Sequence, residues 1–218
     1  MSLTYAIGDI HGCLDKLRSL LLRCETHAEG RPAAFVFVGD YIDRGPQSCG
    51  VIDYLIDLKA RRGGNVITLM GNHEAMALAF FDNGPQARTW LVQGGLETLR
   101  SYGVAQTELP RPHVDWLRAL PLRYDDGRRF FVHAGVNPGT PLDAQDDFDL
   151  LWIREPFLSH GGDYGRLIVH GHTPLPDGVP DLRGNRLNLD TGAVFGGPLT
   201  AAVFDDAQTE PIGFLQAD

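Results

Sequence analysis

Five short apolar runs in this chain each end in an aspartate, asparagine or histidine flanked by glycine. Ile7 leads into Gly8-Asp9-Ile10-His11-Gly12, and Val38 leads into Gly39-Asp40-Tyr41-Ile42-Asp43-Arg44-Gly45. Leu69-Met70 leads into Gly71-Asn72-His73-Glu74, Phe131-Val132 into His133-Ala134-Gly135, and Val169 into His170-Gly171-His172-Thr173. Apolar runs of this length, bounded by turn residues, read as buried strands. In open α/β sheets ligands bind at the carboxyl ends of strands. Glycine beside each polar residue permits tight turns and close backbone approach. One Gly-Asp at a strand end is more often a turn, and one strand-terminal histidine is more often structural. Five in register, all of compatible type, point to a metal site.

The segments between these runs decide the fold class. Leu3–Ile7, Ala34–Val38 and Asn65–Leu69 alternate with amphipathic stretches at Asp15–Arg23, Cys49–Ala60 and His73–Phe81. Leu14, Leu17, Leu20 and Leu21 share one helical face. Such alternation predicts a mainly parallel sheet covered by helices. Residues 85–119 change character, with short helical stretches broken by Gly94-Gly95, Gly103 and Pro110-Pro112. They read as a helical insert within a single domain spanning residues 1–218. Strands return at Arg129–Val132, Leu167–His170, Leu187–Asp190, Leu199–Phe204 and Pro211–Leu215, and the last three are expected to be antiparallel. The whole predicts an α/β (α+β) sandwich of two mixed sheets flanked by helices.

Composition narrows the partners. In 218 residues, 28 acidic side chains oppose 19 basic ones, a formal charge of −9. That balance argues against nucleic-acid binding, whose affinity comes mainly from phosphate neutralisation. It permits a phosphate-bearing substrate, because a few local cations outweigh distant, screened acids. The three cysteines, Cys13, Cys24 and Cys49, make no disulfide scaffold and suit a reducing cytoplasm. No apolar run is long enough to cross a bilayer, so no membrane partner is expected.

The ligand blend of carboxylate, amide and imidazole, without cysteine, suits borderline or hard divalent ions. One carboxylate can bridge two ions roughly 3.5–4 Å apart, an arrangement that acidifies water for hydrolysis.

The blocks Gly8-Asp9-Ile10-His11-Gly12, Gly39-Asp40-Tyr41-Ile42-Asp43-Arg44-Gly45 and Gly71-Asn72-His73-Glu74 match the GDxHG, GDxxDRG and GNHE motifs. On these, the chain resembles the phosphoprotein phosphatase family of calcineurin-like metallophosphoesterases, in its compact bacterial form. His133-Ala134-Gly135 and Gly171-His172-Thr173 resemble the two later histidine blocks. The resemblance implies a β-sandwich flanked by helices and two divalent ions, with manganese favoured and iron or zinc as alternatives. It implies that Asp9, His11 and Asp40 hold the first ion, that Asp40 bridges, and that Asn72, His133 and His172 complete the second. His170 competes with His172, and the position after glycine matches the family block. His73 becomes the acid near the leaving oxygen, oriented by Asp43. Arg44 clamps phosphate oxygens, a bidentate task that suits a guanidinium. Arg154 resembles a second phosphate-binding arginine, although a surface ion pair explains it nearly as well. Glu74 is expected to buttress a helix start, and the Leu189–Ala193 segment to support the site from behind. His27, His113 and His160 are expected on the surface or in loops.

The activity implied is hydrolysis of a phosphomonoester, foremost on phosphoserine or phosphothreonine, by direct attack of activated water. The alternatives are hydrolysis of dinucleoside polyphosphates or other small phosphorylated compounds and, remotely, a non-catalytic scaffold.

Overall fold

The computed structural model describes residues 2–84, 87–103 and 109–218. Strand β1 (Leu3–Ile7), helix α1 (Leu14–Ala28), β2 (Ala33–Phe37), α2 (Ser48–Arg62), β3 (Val66–Thr68) and α3 (Asn72–Phe81) follow in the expected alternation. Two short helices, α4 (Ala87–Trp90) and α5 (Leu96–Ser101), flank a π-helical turn at Leu91–Gly95. Helix α6 (Arg111–Arg118) comes next. The remaining elements are β4 (Arg123–Asp125), β5 (Arg129–Val132), α7 (Asp147–Trp152), β6 (Leu167–His170), β7 (Asp181–Leu182), β8 (Arg186–Asn188), β9 (Leu199–Asp205) and β10 (Gly213–Ala217).

The strands form two five-stranded sheets, ordered β10-β9-β1-β2-β3 and β4-β5-β6-β8-β7. In the first, β1, β2 and β3 are parallel, while β9 and β10 run antiparallel. In the second, β5, β6 and β8 are parallel, edged by antiparallel β4 and β7. One strand departs from the expected order. The strand around Leu187 joins β6 in the second sheet and runs parallel to it, so only β9 and β10 make the expected antiparallel pair. The crossover through Thr191 returns the chain to the first sheet.

Side-chain alternation along each strand explains the layering. Leu3, Tyr5 and Ile7 of β1, with Phe35 and Phe37 of β2, pack under α1 and α2, whereas Ala6 and Val36 point the other way. There they meet Phe131, Val169, Leu187, Ala202 and Phe204 between the sheets. Phe130, Val132 and Ile168 on the far face of the second sheet are covered by Leu150 of α7, Ile153 and Phe157. The central strands β1, β2, β5 and β6 are therefore buried on two sides, which is why they read as apolar runs. The carboxyl ends of β1, β2, β3, β5 and β6 deliver the five polar blocks.

Candidate metal centre

The five strand ends converge on Asp40. Its Oδ2 lies 3.3 Å from His11 Nε2 and 4.0 Å from His73 Nε2, and its Oδ1 lies 3.4 Å from His133 Nε2. Two groups with metal-binding spacing share this carboxylate: His11, Asp40 and His73, and Asp40, His133 and His172, all buried. Burial alone would raise Asp40, but His133, His73 and His11 around it hold its carboxyl well below the usual range.

Backbone carbonyls orient the imidazoles. His11 Nδ1 is 2.7 Å from the Ile42 carbonyl, and His133 Nδ1 is 3.0 Å from that of Val38. A proton on each Nδ1 leaves the Nε2 lone pair facing the centre, the orientation typical of metal-ligating histidine. His133 Nε2 also lies 2.8 Å from Asn72 Oδ1, and His172 Nδ1 lies 3.1 Å from the same oxygen. Burial lowers the pKa of His133, and burial with the neighbouring His133 brings His172 down to about 2. A neutral His133 has one proton for two facing oxygens, so a lone pair opposes a lone pair. A cation between them removes that conflict. Asp9 Oδ1 and His172 Nε2 are also buried without hydrogen-bond partners. The residues present therefore fit a metal pair.

Backbone approach makes the cradle. A Cβ on Gly71 would stand 2.2 Å from Asp40 Oδ1, and one on Gly171 would stand 1.9 Å from Asp9 Oδ1. His11, Asp40, Asp43, Arg44 and His172 all adopt positive φ, which side chains beyond glycine seldom tolerate. Such conformations gather at functional sites, where the surrounding structure holds them. Glu74 is part of that hold. Its carboxylate accepts the N–H groups of Asp40, Tyr41 and Gly71 at 2.8–2.9 Å, joining the β2 and β3 loops. Burial and the Asp40 charge push Glu74 up to about 8.

The expected residues fall into place unevenly. Asp9 lies beside the centre, its Oδ2 accepting the His172 N–H at 3.0 Å, but it falls outside both three-residue groups. Burial and the carboxylates of Asp190 and Asp40 raise Asp9 well above its usual range. His73 Nδ1 is 2.6 Å from Asp43 Oδ2, which leaves Nε2 directed at the centre. Arg44 Nη1 reaches His11 Nε2, and its guanidinium lies 5.5 Å over the exposed ring of Phe195. Arg154 is exposed and donates to the His172 carbonyl at 3.3 Å. His170 stands apart from both groups: its Nδ1 bonds the Gly171 carbonyl, and its ring meets Phe157 edge-on. Burial lowers His170 to about 3.

Three side chains at this site escape the sequence reading. Trp90, Thr98 and Ser48 all bond Asp43. The signal for them was the Trp90-Leu91-Val92-Gln93-Gly94-Gly95 stretch, where a tryptophan precedes paired glycines in a polar insert. Asp190, expected only to lend support, is buried close enough to His11, Asp40 and Arg44 for their charges to act on it. His113 is a correction: it is buried, bonded to Tyr102 and Asp53.

Comparisons with known proteins agree with this geometry. Residues 3–201 match the family model described as calcineurin-like phosphoesterase. The chain is 32% identical to an asymmetrical bis(5′-nucleosyl)-tetraphosphatase of Anoxybacillus flavithermus, over 93% of this chain and 91% of that one. It is 33% identical to serine/threonine-protein phosphatase 1 of Salmonella typhimurium, over 91% and 90% of the two chains. A protein serine/threonine phosphatase structure from Saccharomyces cerevisiae shares the fold at a TM-score of 0.67 and 19% identity, covering all of this chain and 80% of that one.

Proposed function

The chain belongs to the calcineurin-like phosphoesterase family, and from that premise we propose that it is a serine/threonine protein phosphatase. The carrying observation is the pair of buried His/Asp groups that meet at Asp40, with Arg44 and the Asp43–His73 pair beside them. Asp9, His11 and Asp40 would hold one ion, and Asp40, Asn72, His133 and His172 the other. Manganese, with iron or zinc as alternatives, is what the family resemblance implies for these ligands. When bound, the ions supply Lewis acidity to phosphoryl oxygens and an acidified water.

The chain's own residues do the rest. Arg44 binds and orients the phosphoryl oxygens through its forked donors. Water adds to phosphorus in line with the departing oxygen, whose bond to phosphorus breaks. The proton the water releases passes to solvent, from which His73 is reprotonated. His73 delivers the proton to that oxygen from Nε2, while Asp43 fixes the ring through Nδ1. Arg154 adds a second positive charge at the mouth. Three free cysteines suit a cytoplasmic setting. Among the described residues no helix is long and apolar enough to cross a membrane.

A second reading is hydrolysis of dinucleoside tetraphosphates. It is favoured by Phe195, a residue 64% exposed whose ring lies against Arg44, an aromatic face beside a phosphate clamp. Nucleobases stack on such faces. The deciding experiment is a parallel manganese-supplemented assay on phosphoserine and phosphothreonine peptides and on diadenosine tetraphosphate. Faster turnover of the peptides is expected. Turnover of the dinucleotide alone would overturn the protein-phosphatase reading in favour of the second.

A further inference from the structure

The insert reaches the acid machinery in a way that neither the metal ligands nor the matched motifs require. Asp43 is wholly buried, and each of its oxygens is occupied. Oδ2 faces His73 Nδ1 at 2.6 Å and also accepts the Trp90 indole N–H at 2.8 Å. Oδ1 accepts the Thr98 hydroxyl at 2.6 Å and the same indole at 3.0 Å. The Thr98 oxygen in turn accepts the Asp43 N–H at 2.8 Å, with Ser48 Oγ 3.1 Å from both the Asp43 nitrogen and the Thr98 oxygen. Thr98 thus binds Asp43 through its backbone and its side chain at once.

The insert's local geometry is built for this contact. Trp90 is fully buried between Phe80 and Phe81, at centroid distances of 5.0 and 5.4 Å. A Cβ on Gly95 would stand 2.5 Å from the indole, so only glycine leaves the ring its place. Gly94, at φ 115°, lets its carbonyl accept the Arg44 N–H at 3.3 Å. Trp90, Gly94 and Thr98 recur at four-residue spacing and together engage Asp43 and Arg44. A hydrophobic anchor alone would need no donor aimed at a carboxylate that already has a partner.

We propose that Trp90 and Thr98 are positioning residues that hold the Asp43 carboxylate in register with His73 and so set proton delivery to the leaving oxygen. The proposal rests on the reading of His73 as the acid. Two donors on the carboxylate fix its plane, and a fixed carboxylate fixes the imidazole that bonds it. Nε2 then meets the leaving oxygen without a search over ring orientations.

The test uses the full-length, manganese-loaded enzyme with Thr98→Val, Thr98→Ser and Trp90→Phe, each assayed on a phosphoserine peptide and on nitrophenyl phosphate. The serine alkoxide needs a proton to leave and the nitrophenolate does not. Thr98→Val and Trp90→Phe should lose about tenfold more on the peptide than on the aryl ester. Two bound ions should remain, and Thr98→Ser should restore the peptide activity. In a His73→Asn background, Thr98→Val should add no further selective loss. The readout independent of turnover is the downfield NMR resonance of the His73 Nδ1 proton in metal-free protein, which should move in Thr98→Val and Trp90→Phe. Equal losses on the two substrates where His73→Asn is itself selective, or an unmoved resonance, overturn the positioning role. If His73→Asn itself shows no substrate selectivity while the resonance moves, the acid assignment has failed and the positioning of the ring stands. Trp90→Phe risks the local packing, and Thr98→Val, nearly isosteric, then carries the test alone.

Discussion

The two metal-capable groups that meet at Asp40 are built from different materials. His133 and His172 come from the second sheet, share Asn72 Oδ1, and are driven toward the neutral form by burial. His11 comes from the loop after β1 and His73 from the first turn of α3, where Arg44, Asp43 and the donors of the insert crowd around them. One side holds neutral nitrogens and a buried amide, an environment suited to retaining an ion. The other assembles charge and hydrogen-bond donors, an environment suited to holding a phosphoryl group and moving a proton. On the proposed reading, phosphate binding and proton delivery gather on the His11 and His73 side of Asp40.

Removing the bridge is the most disruptive way to erase that contrast. Asp40→Asn should weaken loading of both ions and reduce turnover to background, as read by metal analysis of the purified variant and an aryl phosphate assay. Full turnover with two tightly held ions would show that the groups do not depend on Asp40. His172→Ala should touch one side only, leaving about one ion per chain, while His170→Ala should leave both. Loss of an ion from the His170 variant, and not from the other, would exchange their roles. His73→Asn probes the opposite side. It should keep both ions and lose about a hundred- to ten-thousandfold on phosphoserine peptides, with a smaller loss on nitrophenyl phosphate. An ion lost from that variant would make His73 a ligand, as its place beside His11 and Asp40 allows. The smallest effect is expected at the exposed rim, where Arg154→Ala should raise KM a few-fold with kcat nearly unchanged. A large fall in kcat would bring Arg154 into the transition state.

Much of this was legible because chemistry and chain punctuation coincide. Gly8, Gly39 and Gly71 follow the ends of β1, β2 and β3 within three residues, and the next residue in each block lies at or beside the centre. β1, β5 and β6 have the expected limits, since residues buried on both faces leave unbroken apolar runs. The sheet membership of β8 was hidden, because its three residues carry no sequence signal for the β6 partner they pair with. The contacts of Trp90 and Thr98 were hidden for a similar reason. A helix with interrupted periodicity gives its element type away, but not the carboxylate some fifty residues distant that its side chains meet. His113 shows the same limit: burial beside Tyr102 is a property of tertiary packing, not of its neighbours in sequence.

The hydrogen bonds at the centre also fasten the two sheets to each other. Asp9 accepts the His172 N–H across 163 positions of sequence, and His133 reaches Val38 across 95. Neither sheet can therefore complete its loops before the other has formed and docked. Contacts so distant in sequence close large loops, a slow event in folding. Separation of the sheets in a fluctuation must dismantle the metal centre at the same moment. A chain with ions bound should resist such opening by mass action, with amide exchange slowed in β5 and β6 as strongly as in β1 and β2.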